Sequence, residues 1–232
     1  PLKDLGLNIL RTASQFNFLG DENWRHNIAG EPLLSWPVGI LFVIGIGIGI
    51  ASLSAAKYKK NTKVRSRFRI FVENSYFVEK HNLGFEVLFV WLIVAAIPVV
   101  ISNEGLPHAL RSILMLPPVM IFAGFGACNF FQLIFNLFRK NFFIVRGGVV
   151  AVVIVVIVQA YADYFIRWGK NPEVRWAFNA NYVAIGREIN ALPLETPKYI
   201  VVEANGVDVR GLPVPAQTVM FITDSFRQLS RH

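Results

Sequence analysis

Apolar residues in this chain gather in long uninterrupted runs instead of recurring at the 3.6- or 2.0-residue period of a water-facing fold. Four runs, at roughly 37–56, 83–102, 113–138 and 142–166, are long enough to cross about 30 Å of hydrocarbon as helices rising about 1.5 Å per residue. Lipid offers no partner for backbone N–H and C=O groups, so each span must be a helix or part of a closed barrel, and the runs lack the alternation of barrel strands. The pattern predicts an all-α polytopic membrane helical bundle of about four transmembrane helices over residues 37–167. An exoplasmic juxtamembrane segment, 1–36, precedes it, and an exoplasmic C-terminal segment, 168–232, follows.

The tail changes period. Val174, Phe178, Tyr182, Ile185 and Ile189 are spaced for one amphipathic helix, with Pro172 in its first turn and Pro193 after its end. Next come "KYIVVEA" and "TVMFITD", two short β-branched and aromatic runs separated by the turn-rich "NGVDVRGLPVP". They predict a hairpin and make the tail a small α+β element. In the first span, "GIGIGI" sets Gly45 and Gly49 four residues apart, the small-residue spacing of a close helix seam. If helices upstream of Pro1 supply its other half, that seam and one flank of the third span lack partners within this sequence.

Composition agrees with a membrane chain: 54% of the 232 residues are hydrophobic, 20 are Phe and only 16% are charged. Cys128, the single cysteine, lies within an apolar run, which excludes an intrachain disulfide and predicts a small core residue. The chain opens at Pro1 without the pattern of a secretion signal and reads as a piece whose upstream part is absent.

Charge supplies orientation. Lys57, Lys59, Lys60, Lys63, Arg65, Arg67 and Arg69 follow the first span without an acidic residue, and Arg139, Lys140 and Arg146 cluster after the third. Both stretches, the basic loop 57–82 and the turn near 139–141, are expected in the cytoplasm. The net charge of +8 is then that of loops touching anionic lipid headgroups, and no nucleic-acid partner is expected. Residues 1–36, the loop near 102–112 and the tail fall together on the opposite side.

That side carries the candidate chemistry. Asp21, Arg25, His26 and Asn27 crowd the approach to the first span, and His108 and Arg111 sit in the short second loop. An Arg at the interface can fork onto two oxygens of a lipid phosphate or diphosphate, or simply snorkel. No His pair has ligand spacing, so sequence assigns no metal ligands. No Ser sits in a G-x-S-x-G elbow. Asp21, Glu22, Glu31 and Glu104 could each act as a base, and their spacing selects none. Transporters place ionisable groups at mid-membrane; here Glu86, Arg146 and Asp163 lie near span ends, and only Asn129 and Gln132 lie deep.

"FNFLGDENWRHNIAGEPLLSWPVGILFVIGI" at 16–46 and "AAIPVVISNEGLPHALRSILMLPPVMIFAGFGA" at 95–127 resemble the C-terminal half of bacterial membrane glycosyltransferases of the GT-C superfamily, similar to protein O-mannosyltransferases and aminoarabinose lipid A transferases. The stretch around "PEVRWAFNANYVAIG" agrees with a segment that closes such chains. The resemblance implies a multi-pass inner-membrane enzyme whose exoplasmic face brings a polyprenyl-phosphate-linked sugar donor to a protein, lipid or glycan acceptor and transfers the sugar with inversion. It implies a catalytic acidic residue in an upstream exoplasmic loop, assisted in some members by a divalent cation, and a piece inactive by itself. By position in the shared blocks, Asp21, Arg25, His26 and Asn27 would form the exoplasmic wall of the site, with His108 and Arg111 near the donor phosphate. The opposing readings are a non-catalytic membrane assembly or scaffold subunit and a transporter subunit.

Overall fold

A computed structural model describes residues 2–58, 82–102, 105–138, 142–193, 195–201, 208–209 and 212–225. They form eight α-helices and one two-residue hairpin: α1 Leu2–Ser14, α2 Trp36–Tyr58, α3 Asn82–Ile101, α4 Leu116–Leu137, α5 Phe142–Tyr161, α6 Pro172–Ala177, α7 Ala180–Ala191 and α8 Val214–Ile222. A 3₁₀ turn at Arg111–Met115 leads into α4, and a π-helical segment at Ala162–Trp168 extends α5. The chain divides into two compact units, Pro1–Trp168 and Gly169–His232.

In the first unit, four helical stretches are long and apolar enough to cross a membrane: Trp36–Ser54, Leu83–Ile101, Arg111–Leu137 and Phe143–Trp168. These match the four expected spans to within a few residues and make the chain a helical membrane protein. The basic loop and the turn at 139–141, which set its expected orientation, lie almost wholly outside the described residues.

The tightest join is between α2 and α4. A Cβ built on Gly45 would stand 1.8 Å from the Phe122 carbonyl oxygen, and one built on Gly126 would stand 1.9 Å from that of Leu41. Any side chain at either place would force the helices apart, so glycine here is a condition of backbone contact. One turn on, Gly49 lies against the rings of Phe85, Phe89 and Phe122. The glycine seam expected to lack a partner in this sequence therefore has one within it, because Gly126, 81 positions away, presents the matching flat surface. Below the join, Ile48, Phe85, Leu88 and Phe122 form a buried cluster. Above it, Phe16, Leu34, Ala95, Val99, Met115 and Val119 form a second. Cys128 is exposed on α4, not part of either core as its apolar neighbours suggested. Of the two deep polar residues, Asn129 is buried and donates to the Phe125 carbonyl of its own helix at 2.9 Å, while Gln132 is exposed.

The sequence pattern assigns no element to residues 1–36, yet α1 forms there with its polar side inward. Asn8, Thr12 and Gln15, at i, i+4 and i+7, are buried. Asn8 Nδ2 donates to the Val100 carbonyl at 2.9 Å, one of the last-turn acceptors of α3 that no intrahelical N–H reaches. Gln15 Nε2 donates to the Thr12 carbonyl at 2.9 Å and to Ser112 Oγ at 2.8 Å. Leu2, Leu5, Ile9 and Leu10 are exposed.

The tail departs from expectation in two ways. The single amphipathic helix is two, α6 and α7, divided at Asn179, which takes a left-handed conformation (φ 60°) that Asn tolerates better than most residues. Its start is as read: Asn171 caps Glu173 N–H at 2.9 Å, with Pro172 in the first turn. Pro193 likewise follows the end of α7. The second departure is "TVMFITD", which is mostly α8 and not a strand. Ala216 and Val219 are buried three residues apart, a helical interval, and Ile222 packs onto Gly186 of α7. Packing against α7 overrides the β propensity of Thr218, Val219 and Phe221. The tail's only strands among the described residues are Asp208–Val209 and Leu212–Pro213, paired antiparallel, so its described part is helical with a minimal hairpin; residues 202–204 of the expected strand "KYIVVEA" lie outside the described residues.

If backbone contact between α2 and α4 sets the bundle, Gly45→Val should destabilise the protein in detergent by about 1–3 kcal/mol, the usual range for overpacking. Gly47→Val makes the same change where nothing lies within 4 Å and should leave the melting temperature almost unchanged. Equal melting of the two variants would remove the seam from its central place.

Candidate functional site

Two loops meet at one end of the bundle. Residues 18–35 lead into α2, and residues 105–110 connect α3 to the 3₁₀ turn before α4. The first loop closes on itself: Gly20 N–H donates to the Gly30 carbonyl at 3.1 Å and Gly30 N–H to the Asp21 carbonyl at 2.9 Å. Gly30 has φ +77°, where a side chain would be strained, and a Cβ on Gly20 would overlap the Glu31 carbonyl. Asn27 Nδ2 donates to that same Glu31 carbonyl at 3.0 Å. Two further bonds, Leu33 N–H to the Gln15 carbonyl at 2.8 Å and Leu34 N–H to that of Phe16 at 3.0 Å, lay the loop's exit along the end of α1.

Asp21 stands where the loops touch and is only 5% exposed. Its Oδ1 accepts Asn23 N–H at 2.8 Å. Its Oδ2 accepts Ala109 N–H at 2.9 Å, across 88 residues of sequence, and pairs with His26 Nδ1 at 2.6 Å. Burial works to raise the Asp21 pKa, but the bonds from His26, Ala109 and Asn23 outweigh it and hold the carboxyl below its ordinary value. Asp21 is therefore an anion at neutral pH.

His26 stacks on His108, ring centroids 4.6 Å apart and planes 29° from parallel. The His108 pKa is lowered, first by burial, then by the charges of Arg111 and His26, so its ring is neutral at physiological pH. Its Nδ1 faces Arg111 N–H at 3.3 Å, a long contact. Arg111 is half-buried, and its guanidinium donates through Nη1 to Ser102 Oγ beyond the end of α3. Ser112 Oγ, which receives Gln15, donates in turn to the His108 carbonyl at 3.0 Å and ties the His108 turn to α1.

Of the six residues singled out by sequence, three meet directly: Asp21, His26 and His108. Asn27 shapes its own loop. Arg111 lies beside the cluster, turned toward Ser102, and Arg25 is exposed, its N–H bound to Asn23 Oδ1 at 3.0 Å. Asp21, His26 and His108 can each offer one ligand atom, all within 4.8 Å of one another. Sequence assigned no metal ligands because the two imidazoles come from different loops and share no spacing.

Two residues that drew no functional reading as a pair complete this end of the molecule. Arg167, at the end of the fourth span, pairs with Asp163 one turn earlier at 2.8 Å and forks onto both oxygens of Glu31 in the first loop. Trp168 Nε1 donates to the Trp24 carbonyl at 2.9 Å. The first loop is thus fastened to the second through Ala109 and to the end of the fourth span through Arg167 and Trp168.

Asp21→Ala leaves the Ala109 N–H, in the partly buried join between the loops, without its acceptor, a loss of about 1–3 kcal/mol; the Asn23 N–H, on an exposed residue, can turn to water. Hydrogen exchange at Ala109 should quicken by about tenfold or more, with residues 20–31 becoming more open to protease. Glu22→Ala, at an exposed neighbour, should change neither. Unaltered exchange at Ala109 in Asp21→Ala would show that the loops hold together without this carboxylate.

Comparison with models of known protein families, with curated proteins and with solved structures finds no match to this chain.

Proposed function

We propose that the chain is the C-terminal part of an integral membrane glycosyltransferase that moves a sugar from a polyprenyl-phosphate donor to an acceptor at the exoplasmic face of the inner membrane. One observation carries this reading. The two polar stretches that resemble such enzymes, about 80 residues apart in sequence, meet through Asp21, Ala109, His26 and His108 at one end of the apolar spans. A bundle that used these residues only to set loop solubility would have no reason to bury Asp21 and stack two imidazoles there.

In this reading the donor's lipid lies along the spans and its phosphate reaches the loop 105–112. Arg111 is the anchor: it is planar, permanently charged and steadied by Ser102, so it loses little side-chain freedom when it takes up a phosphate. As the glycosidic bond breaks, charge grows on the departing lipid phosphate, and a fixed guanidinium stabilises that change. His26, His108 and the Asp21 carboxylate form the polar wall beside it. The base that activates the acceptor is supplied by the upstream half.

Orientation is tested by cysteine labelling in a Cys128→Ser background. Glu22→Cys should react with an impermeant reagent added to the outer face and Asn61→Cys should not; the reverse would put the site in the cytoplasm and remove the polyprenyl-phosphate reading. Function is tested in the full-length protein by transfer from a polyprenyl-phosphate sugar. A charge-assisted hydrogen bond is worth about 1.5–3 kcal/mol, so Arg111→Ala should lower turnover efficiency by about tenfold to a hundredfold, and Arg111→Lys should recover part of it. Transfer by Arg111→Ala at the wild-type rate, at subsaturating donor, refutes the phosphate role. No transfer by the wild type from any such donor would favour the scaffold reading, which draws its support from a glycine seam already satisfied within this chain.

A further inference from the structure

We propose that Asp21, His26 and His108 bind one divalent cation of the zinc class, with two imidazole nitrogens and one carboxylate oxygen as ligands. This stands on the geometry of the cluster and does not depend on the transferase reading.

The three ligand atoms lie within 4.8 Å of one another. A zinc ion bound at about 2.0–2.2 Å from each would set them about 3.3 Å apart, so the widest pair closes by up to about 1.5 Å while His26 Nδ1 and Asp21 Oδ2 open from 2.6 Å, changes of the size that side-chain rotation supplies. The carboxylate is already set for this. Asn23 and Ala109 N–H each occupy one position on a different oxygen, and a carboxylate has about four acceptor positions. Two N–H donors from separate segments are the kind of outer support that fixes a metal-binding carboxylate in place.

His26 presents Nδ1 to Asp21 Oδ2 at 2.6 Å. Two lone-pair atoms at that approach need a positive centre between them. A proton fills this role when His26 carries its hydrogen on Nδ1. When the hydrogen moves to Nε2, a metal ion can take its place, so the ion replaces an existing bond without leaving a buried atom unpaired. His108 joins from the stacked ring. Ligation through either of its nitrogens gives up only the 3.3 Å contact with Arg111 N–H, which is weak at that length.

The donor set selects the ion. Two imidazoles favour zinc and its neighbours over magnesium or calcium, which prefer all-oxygen shells. Three protein ligands leave a coordination position for water or an anionic oxygen, and one carboxylate leaves the site with a net positive charge that attracts such an oxygen.

The test uses the untagged full chain in detergent, stripped with EDTA and then incubated with one equivalent of ZnCl₂ before gel filtration and elemental analysis. Wild type should retain close to one zinc per chain and melt at a higher temperature than its stripped form. His26→Gln keeps a hydrogen-bond donor for Asp21, and His108→Gln keeps a polar group in the loop. Each should lower zinc affinity by more than the roughly 10- to 100-fold that loss of an outer supporting group costs, while melting as the stripped wild type does. His81 and His232 are present in every variant, so their contribution cancels. Should either Gln variant unfold, the other and the wild-type stoichiometry decide. Zinc lost from wild type on the column, or retained equally by the His26→Gln and His108→Gln forms, overturns the site and leaves the cluster as a hydrogen-bonded join between loops.

Discussion

One bond fixes the arrangement on which everything at this end of the protein depends: the acceptance of Ala109 N–H by the buried Asp21 carboxylate. Without it the approach to α2 and the loop before α4 are two separate polar strips beside a membrane. With it, His26 is brought over His108, and Arg111 comes to lie next to both. The bond is possible because the loop around Asp21 is closed by its own backbone, which keeps the acid from turning toward water. A buried anion is costly unless hydrogen-bonded on several sides, and three donors meet that condition here.

The bundle beneath obeys a different constraint. Lipid offers no hydrophobic drive for helices to associate, so contact must come from shape. Gly45 and Gly126 provide it by allowing backbone to touch backbone, and the Phe rings of α3 and α4 fill the space that opens one turn further along. The α2–α4 contact in turn sets the separation of the two loops, since each loop continues directly into one of those helices. A polar cluster of this exactness of placement therefore rests on the absence of two side chains deep in the apolar region.

Much of this was legible in the residues. Length and composition of apolar runs found all four spans, because a span is a local property of about twenty consecutive side chains. The polar residues worth watching were also visible, since Asp21, His26 and His108 are chemically conspicuous beside so much Val, Ile and Phe. What could not be read was their meeting, which depends on which helices are neighbours and on the turns that precede them. The same limit explains Gly45, whose spacing revealed a seam but not that Gly126 was its partner. In the tail, β propensity misled at Thr218–Phe221 because the packing of Ile222 on Gly186 is a contact between distant segments. Cys128 misled for a related reason: in lipid an apolar neighbourhood in sequence says nothing about which face points inward.

The fourth span is held differently from the others. Little of α5 is covered by the rest of the unit, yet its last turn is fastened by Arg167 to Glu31 and by Trp168 to Trp24. A helix bonded to a loop at its end and little buried along its length makes uneven demands on heredity. Along residues 143–160 one aliphatic residue can replace another with little consequence, since lipid distinguishes them poorly. At positions 167 and 168 the same latitude does not exist, because the two side chains there make the bonds to the first loop.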